Sequence, residues 1–468
     1  MKQLWQLGAL ELADRIRSKE VSSREVLEAH LTRVDECNGS LNAIVRLLAD
    51  EARAAADAAD AATVAGAAVG RFHGVPCTVK ENIDLAGTPT TQGVKALAEA
   101  VAPIDAPTVE RMRAAGAIPF ARTNLPDFGL RVHTDSELHG PTRNPWNPNV
   151  TAGGSSGGEG AAIASGMSPI GLGNDIGGSL RNPAHCCGIT SIKPTVGVIP
   201  MASVIPTEDF TLSEQVMVVE GPMARNVADI RAGLEVLAGR HWRDPRSVTA
   251  TLTDAGDGER LRIAVMTDPP GGTTDPGIAG AIRSVADLLA DAGHDVVDAV
   301  PPGYERTADL WRMLMLDDIR AQKELLPLVL GADAMSLLEM FDASSEPTKI
   351  PDTHLMHAER YGLMRQWSAF HQEYPVLLSP TWALRAFVPG ADLDPDTAVE
   401  MMTDTIRPVV PSNLLGTPSV VTPAGVVDGL PVGIQVMGDR YTDLRCLTIA
   451  AEIESLVGTF TPIDPITS

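Results

Sequence analysis

Short apolar runs alternate with stretches of helical periodicity along most of the chain. Residues 8–36 read as two helices. In the second, Ser22 precedes Glu25 by three residues, the spacing of a capping box, just ahead of Val26, Leu27, His30 and Leu31. Residues 51–69 are rich in alanine with Asp57 and Asp60 interspersed, which predicts a solvent-facing helix. Beyond it, residues 74–80 predict a strand, 108–115 a helix and 117–122 a strand. A helix is expected to start over 161–165, followed by a strand at 167–172, a helix at 223–237, a strand at 261–266 and a helix at 278–292. Such alternation predicts an α/β fold with a mixed, twisted central sheet and helices on both faces. Residues 250–260 are polar and read as a surface loop. No internal repeat or low-complexity linker interrupts the pattern, so residues 1–468 are expected to form one domain, with a helical insertion at 301–402.

Charge narrows the classes of function. The chain carries 37 basic and 60 acidic residues, a net charge of −23, which argues against an extended nucleic-acid or anionic-membrane surface. The first residues lack the apolar run of a signal peptide, and no stretch of 18 apolar residues occurs. Five cysteines (Cys37, Cys77, Cys186, Cys187, Cys446) form no CxxC, and free thiols in a reducing cytoplasm are expected.

The chemistry concentrates in two glycine-rich segments. Residues 151–160 read Thr-Ala-Gly-Gly-Ser-Ser-Gly-Gly-Glu-Gly, and residues 173–181 read Gly-Asn-Asp-Ile-Gly-Gly-Ser-Leu-Arg. Glycine at this density carries an entropic cost that a chain tolerates where its backbone approaches a ligand closely. Serines held there are candidate nucleophiles, and the neighbouring N–H groups are candidate oxyanion donors. Lys80 ends an otherwise apolar predicted strand. A lone lysine there would ordinarily snorkel to the surface, but a buried lysine of lowered pKa can serve as the base for a serine.

Segments 74–82, 153–160 and 173–183 together resemble the amidase signature family of serine hydrolases. The 153–160 segment, with Glu159, is most similar to bacterial amidases and fatty acid amide hydrolase. Ser155 follows Lys80 by 75 residues and Ser179 follows Ser155 by 24, which matches the family's Ser-cisSer-Lys arrangement. The likeness extends through Thr123-Asn124-Leu125-Pro126, Lys193-Pro194-Thr195, Gly221-Pro222-Met223-Ala224-Arg225 and Asn413-Leu414-Leu415-Gly416 to nearly the whole chain. The resemblance implies Ser179 as nucleophile, Ser155 as proton relay after a cis Gly154–Ser155 bond, and Lys80 as base. It implies an oxyanion hole from the N–H groups of Ile176, Gly177, Gly178 and Ser179, substrate contacts at Leu125, Gly153 and Gly154, and a bracing charge pair between Asp175 and Arg181. Ser156 is expected to make a structural hydrogen bond. No cofactor or metal is implied. The partner expected is a small amide or carbamate substrate, with no nucleic acid and no membrane, and a monomer or homodimer.

Other readings compete for the same residues. Gly153-Gly154-Ser155-Ser156-Gly157 also fits the G-x-S-x-G elbow of α/β-hydrolase esterases, with Ser155 as nucleophile and Asp352 and His371 as candidate partners. However, the preceding 144–149 segment reads as loop where that motif needs a strand. No P-loop or HExxH pattern is present. A glutamine-hydrolysing subunit of a tRNA-dependent amidotransferase is a further alternative. For substrate, residues 301–402 hold eight of the 16 methionines and Trp311, Trp367 and Trp382. This composition suits either a core of their own or an adaptable apolar wall over the site. The resemblance implies that this region, with the loops near 125–138 and 201–215, shapes the substrate pocket. Asn182 stands where small-diacid amidases resemble one another in carrying arginine. Neutral aryl or alkyl amides, or urethanes, are therefore expected over free carboxylates.

Overall fold

The computed structural model describes residues 3–207, 209–256 and 258–467. Eleven strands form one sheet: β1 (Ile44–Leu47), β2 (Pro76–Lys80), β3 (Ile118–Thr123), β4 (Ile170–Asp175), β5 (Thr190–Lys193), β6 (Val219–Ala224), β7 (Arg262–Val265), β8 (Asp295–Asp298), β9 (Val376–Pro380), β10 (Ser419–Val427) and β11 (Leu430–Met437). Their order is β1-β3-β2-β4-β6-β5-β10-β11-β9-β7-β8. The pairs β2/β3, β2/β4, β7/β9 and β7/β8 are parallel and the others antiparallel, so the sheet is mixed. Leu172, Ile192, Ile263, Val420 and Ile434 of the sheet are buried in one core with Ile230, Leu234, Ile282, Val285, Leu447 and Ile453 of the flanking helices. None of the described helices is long and apolar enough to cross a membrane.

Most predicted elements form close to their expected bounds. The capping box is made as expected. The Glu25 N–H donates to Ser22 Oγ at 3.0 Å, and the Ser22 N–H donates to Glu25 Oε2 at 2.7 Å, at the start of helix Ser23–Leu41. Helix Ala49–Ala65 buries only Ala52 and Ala56 and is otherwise turned toward solvent.

Two boundaries differ for physical reasons. The helix expected to begin at 161 begins at Gly157 and ends at Ala164. Glycine is a poor helix former, so local propensity places the start too late. Tertiary packing decides otherwise: at Gly158 a Cβ would come within 2.4 Å of the Asn124 backbone nitrogen. Residues 223–237 divide. Met223 and Ala224 finish β6, and the helix runs from Val227 to Leu237 once Asn226 accepts the Asp229 N–H at 2.8 Å. The strand expected at 167–172 forms at 170–175.

Residues 301–402 contain the helices Tyr304–Ala321, Ala332–Ala343 and Ile350–Glu373, and also β9, an internal strand between β11 and β7. The site lies where β2 and β4, parallel neighbours, end side by side at Lys80 and Asp175, before the antiparallel β6. This is the edge of an open α/β sheet where ligands bind.

Candidate active site

Lys80 is completely buried at the last position of β2. Its Nζ lies 2.7 Å from Ser155 Oγ and donates to Asn174 Oδ1 at 2.7 Å. Asn174 is held in turn, its Nδ2 donating to Asn82 Oδ1 at 2.9 Å. Burial lowers the Lys80 pKa from 10.5 to about 7, and the charges of Asp175, Glu159 and Glu220 oppose the fall without cancelling it. A substantial fraction of this amine is therefore neutral near pH 7, and a neutral amine can accept the Ser155 proton.

Ser155 follows a cis Gly154–Ser155 peptide. Ser155 and Ser179 are 2% and 7% exposed, and both face one cavity of about 490 Å³. The 176–179 turn that carries Ser179 is anchored from below. Arg181 donates through Nε to Asp175 Oδ2 and through Nη2 to Asp175 Oδ1, each at 2.9 Å, with both side chains fully buried. The same guanidinium reaches Ser412 Oγ, Gln435 Oε1 and Asn413 Oδ1. Burial pushes the Asp175 carboxyl up, but Arg181 and Asn413 pull it down further, to about 2, so the pair stays ionised.

Of the four N–H groups expected to point at an oxyanion, that of Gly178 is taken by Asp175 Oδ1 at 2.8 Å. Those of Ile176, Gly177 and Ser179 have no acceptor among the described residues. Gly178 has φ +95°, a conformation that other residues avoid, and this lets the carboxylate draw its N–H inward. Ser156, expected to make a side-chain hydrogen bond, has a buried hydroxyl with no partner among the described residues, while its N–H donates to Ser179 O at 3.3 Å. Leu125 is fully buried and does not line the cavity. The loop after it presents Phe128 and Gly129 there instead. Gly153 and Gly154 press against other backbone: a Cβ on Gly153 would lie 2.9 Å from Asn182 O, and one on Gly154 2.6 Å from Arg131 O.

Further cavity wall comes from Asn82, Ile83, Asp84 and Gln92, from the 201–215 segment, which runs into helix Leu212–Met217, from Val218 and Glu220, and from 243–246. Within 301–402, Gln322 alone lines it among the described residues. Trp367, Met356 and Leu363 are buried away from it, in one core with Ala264 and Met437 of the sheet and with Met217, Leu414 and Leu415. Trp311 acts from behind: its Nε1 donates to Ile176 O at 2.8 Å and its ring lies against Gly177. Neither Asp352 nor His371 lines the cavity, and His371 Nδ1 pairs with Tyr374 O at 3.0 Å, so neither candidate partner is placed beside Ser155.

Comparison with known proteins decides the family. The model described as Amidase matches residues 25–447. The chain belongs to the amidase family. It is 38% identical over 97% of its length to an indoleacetamide hydrolase of Bradyrhizobium diazoefficiens, covering 87% of that protein. It is 33% identical to an acylamidase of Rhodococcus erythropolis, covering 96% of this chain and 95% of that one. Among solved structures, 6-aminohexanoate cyclic dimer hydrolase with bound substrate superposes with a TM-score of 0.83 at 29% identity, over 98% of each chain. The chemistry of this amidase is hydrolysis of amide C–N bonds outside peptides.

Two residues of the amidase site, Asn174 and Glu220, escaped sequence reasoning as site groups, and Asn182 was singled out there only as the position where small-diacid amidases carry arginine. Asn174 holds Lys80. Asn182 links the two glycine loops: its Nδ2 donates to Gly154 O and Gly177 O, each at 3.1 Å, and its Oδ1 accepts from Trp382 Nε1 at 2.8 Å. Glu220 lies on β6 directly across from Asn174 on β4 and lines the cavity. A signal for Glu220 was present, a charge inside the apolar run Val218-Val219-Glu220, the same kind of signal that marked Lys80.

Proposed function

We propose that this amidase works through Ser179, Ser155 and Lys80. Ser179 Oγ attacks the amide carbonyl carbon. Its proton passes to Ser155, whose own proton moves to neutral Lys80. The N–H groups of Ile176, Gly177 and Ser179 hold the developing oxyanion. As the C–N bond breaks, the proton returns through Ser155 to the leaving nitrogen. A water molecule then adds to the acyl-enzyme carbon, gives its proton to Lys80 through Ser155, and Ser179 is regenerated as the acid departs. The observation that carries this reading is the 2.7 Å contact between Lys80 Nζ and Ser155 Oγ, with Ser179 opening onto the same cavity.

The substrates we propose are neutral aryl or arylalkyl amides. Ile83, Phe128, Ile176 and Phe210 supply flat apolar wall, and five carboxylates (Asp84, Asp209, Glu214, Glu220, Asp244) against Arg243 and Arg246 disfavour a substrate carboxylate. The names of the indoleacetamide hydrolase and acylamidase relatives support the same class. Carbamates are a secondary substrate class, and the cytoplasm is the setting we propose, supported by five unpaired, buried cysteines.

The test is a hydrolysis panel of aryl acetamides, anilides, carbamates, esters and glutamine, with fluorophosphonate labelling read by peptide mass spectrometry. Turnover of aryl acetamides and a label on Ser179 are expected. A label on Ser155, or preference for glutamine, refutes the reading.

A further inference from the structure

Glu220 is a carboxyl group that the amide-cleaving machinery does not use. It is 3% exposed and forms no ion pair among the described residues. Thr108 Oγ1 donates to its Oε2. Its Oε1 has no hydrogen-bond partner among the described residues and faces the cavity that Ser155 and Ser179 share. Its backbone is paired with Asn174, so the two side chains stand on the same face of the sheet, one strand apart, within about 5 Å at the backbone. Asn174 in turn touches Lys80 Nζ.

Oε1 is open to the cavity, so a ligand there can make the hydrogen bond that no protein group makes. As a carboxylate Glu220 accepts at both oxygens, and with Thr108 donating to Oε2 the open acceptor is Oε1. Burial raises its pKa to about 8, and a donor placed at Oε1 by a neutral ligand favours this accepting form. A ligand group that satisfies Oε1 of the carboxylate therefore donates. The flat apolar wall of Ile83, Phe128 and Phe210 shares the cavity, so the donor belongs on an aromatic ring.

We propose that Glu220 is a specificity-determining residue that accepts a hydrogen bond from a ring N–H of the substrate, selecting aromatic amides whose ring carries such a donor. The proposal rests on the aryl-amide reading above and deepens it.

The experiment compares indole-3-acetamide with benzofuran-3-acetamide, which replaces the ring N–H by an oxygen of similar size. Both kcat/KM and, in the Ser179→Ala background, Kd by calorimetry are measured for the parent, Glu220→Leu and Glu220→Gln. One buried hydrogen bond gained or lost corresponds to a preference of about tenfold or more for the N–H ring. The parent should show that preference in Kd as well as in kcat/KM. Glu220→Leu should bring the ratio near one, and Glu220→Gln, whose amide oxygen still accepts, should keep part of it. Equal Kd for the two rings in the Ser179→Ala background, or an unchanged ratio in Glu220→Leu, overturns the proposal. Absence of turnover on both rings refutes the aryl-amide reading instead, while the Kd comparison still reads Glu220.

Discussion

Replacing Lys80 by methionine should abolish activity and yet make the protein more stable near neutral pH. Lys80 is fully buried and titrates at about 7 against 10.5 for a free lysine. At pH 7 the unfolded chain holds a proton that half the folded molecules must release. Relative to a neutral side chain, this costs on the order of 4–5 kcal/mol at about 1.4 kcal/mol per pH unit. Methionine fills a similar volume without that cost. It also leaves Ser155 Oγ and Asn174 Oδ1 without Lys80 as partner, which costs about 1 kcal/mol each where water reaches the cavity edge. The balance is a stabilisation of about 2–3 kcal/mol at pH 7.

The sign depends on pH. Below 7 both states of the wild type are protonated and the full cost of the buried charge remains. Between 7 and 10.5 the folded protein releases the proton while the unfolded chain keeps it, so wild-type stability rises with pH and the advantage of the variant shrinks. Near pH 10 the unfolded lysine is losing its proton as well and the remaining cost of deprotonation has fallen to about 1 kcal/mol, below that of the lost hydrogen bonds, so the variant should become the less stable protein by about 1 kcal/mol. Guanidinium unfolding followed by the fluorescence of buried Trp367 and Trp382 at pH 7, 8.5 and 10 reads the crossover. A variant that is equally destabilised at pH 7 and pH 10 would refute a depressed Lys80 pKa.

Two other outcomes follow from the same geometry. The kcat/KM profile of the wild type on a neutral amide should rise with pH through a single limb centred near 7, as Lys80 becomes neutral, and lie about tenfold below its plateau at pH 6; a flat profile from pH 5 to 9 would contradict lysine as base. Asn182→Ala should lower kcat by about tenfold or more with little change in KM, because it releases Gly154 O and Gly177 O, which position Ser155 and the oxyanion turn without touching substrate; a loss confined to stability, with kcat intact, would reduce Asn182 to a packing residue.

The residues proposed to carry the chemistry were legible in the chain because their local demands are unusual. A lysine ending an apolar strand and serines set among paired glycines are exceptions to ordinary patterning, and exceptions of that kind mark functional sites. The alternating strands and helices were legible for the opposite reason: period and burial agree over most of the chain, as the capping box at Ser22 and the strand ending at Lys80 illustrate. Local reading failed where tertiary packing overrides propensity. The Gly157–Ala164 helix begins on glycines because it packs against the Asn124 backbone, and Val219–Ala224 is a strand because β4 and β5 flank it.

Only the tertiary structure decided which groups share the cavity. Glu220 and Asn174 are 46 residues apart and become neighbours through antiparallel register. Asn182 joins two loops through one amide group, and Gly178 gives its N–H to Asp175, neither of which leaves a trace in residue spacing. The methionine-rich helices of 301–402 carry a composition that suits both a core and a pocket wall. Composition records that a side chain is apolar, and only the packing of the chain determines which apolar surface faces the site and which is buried against its own neighbours.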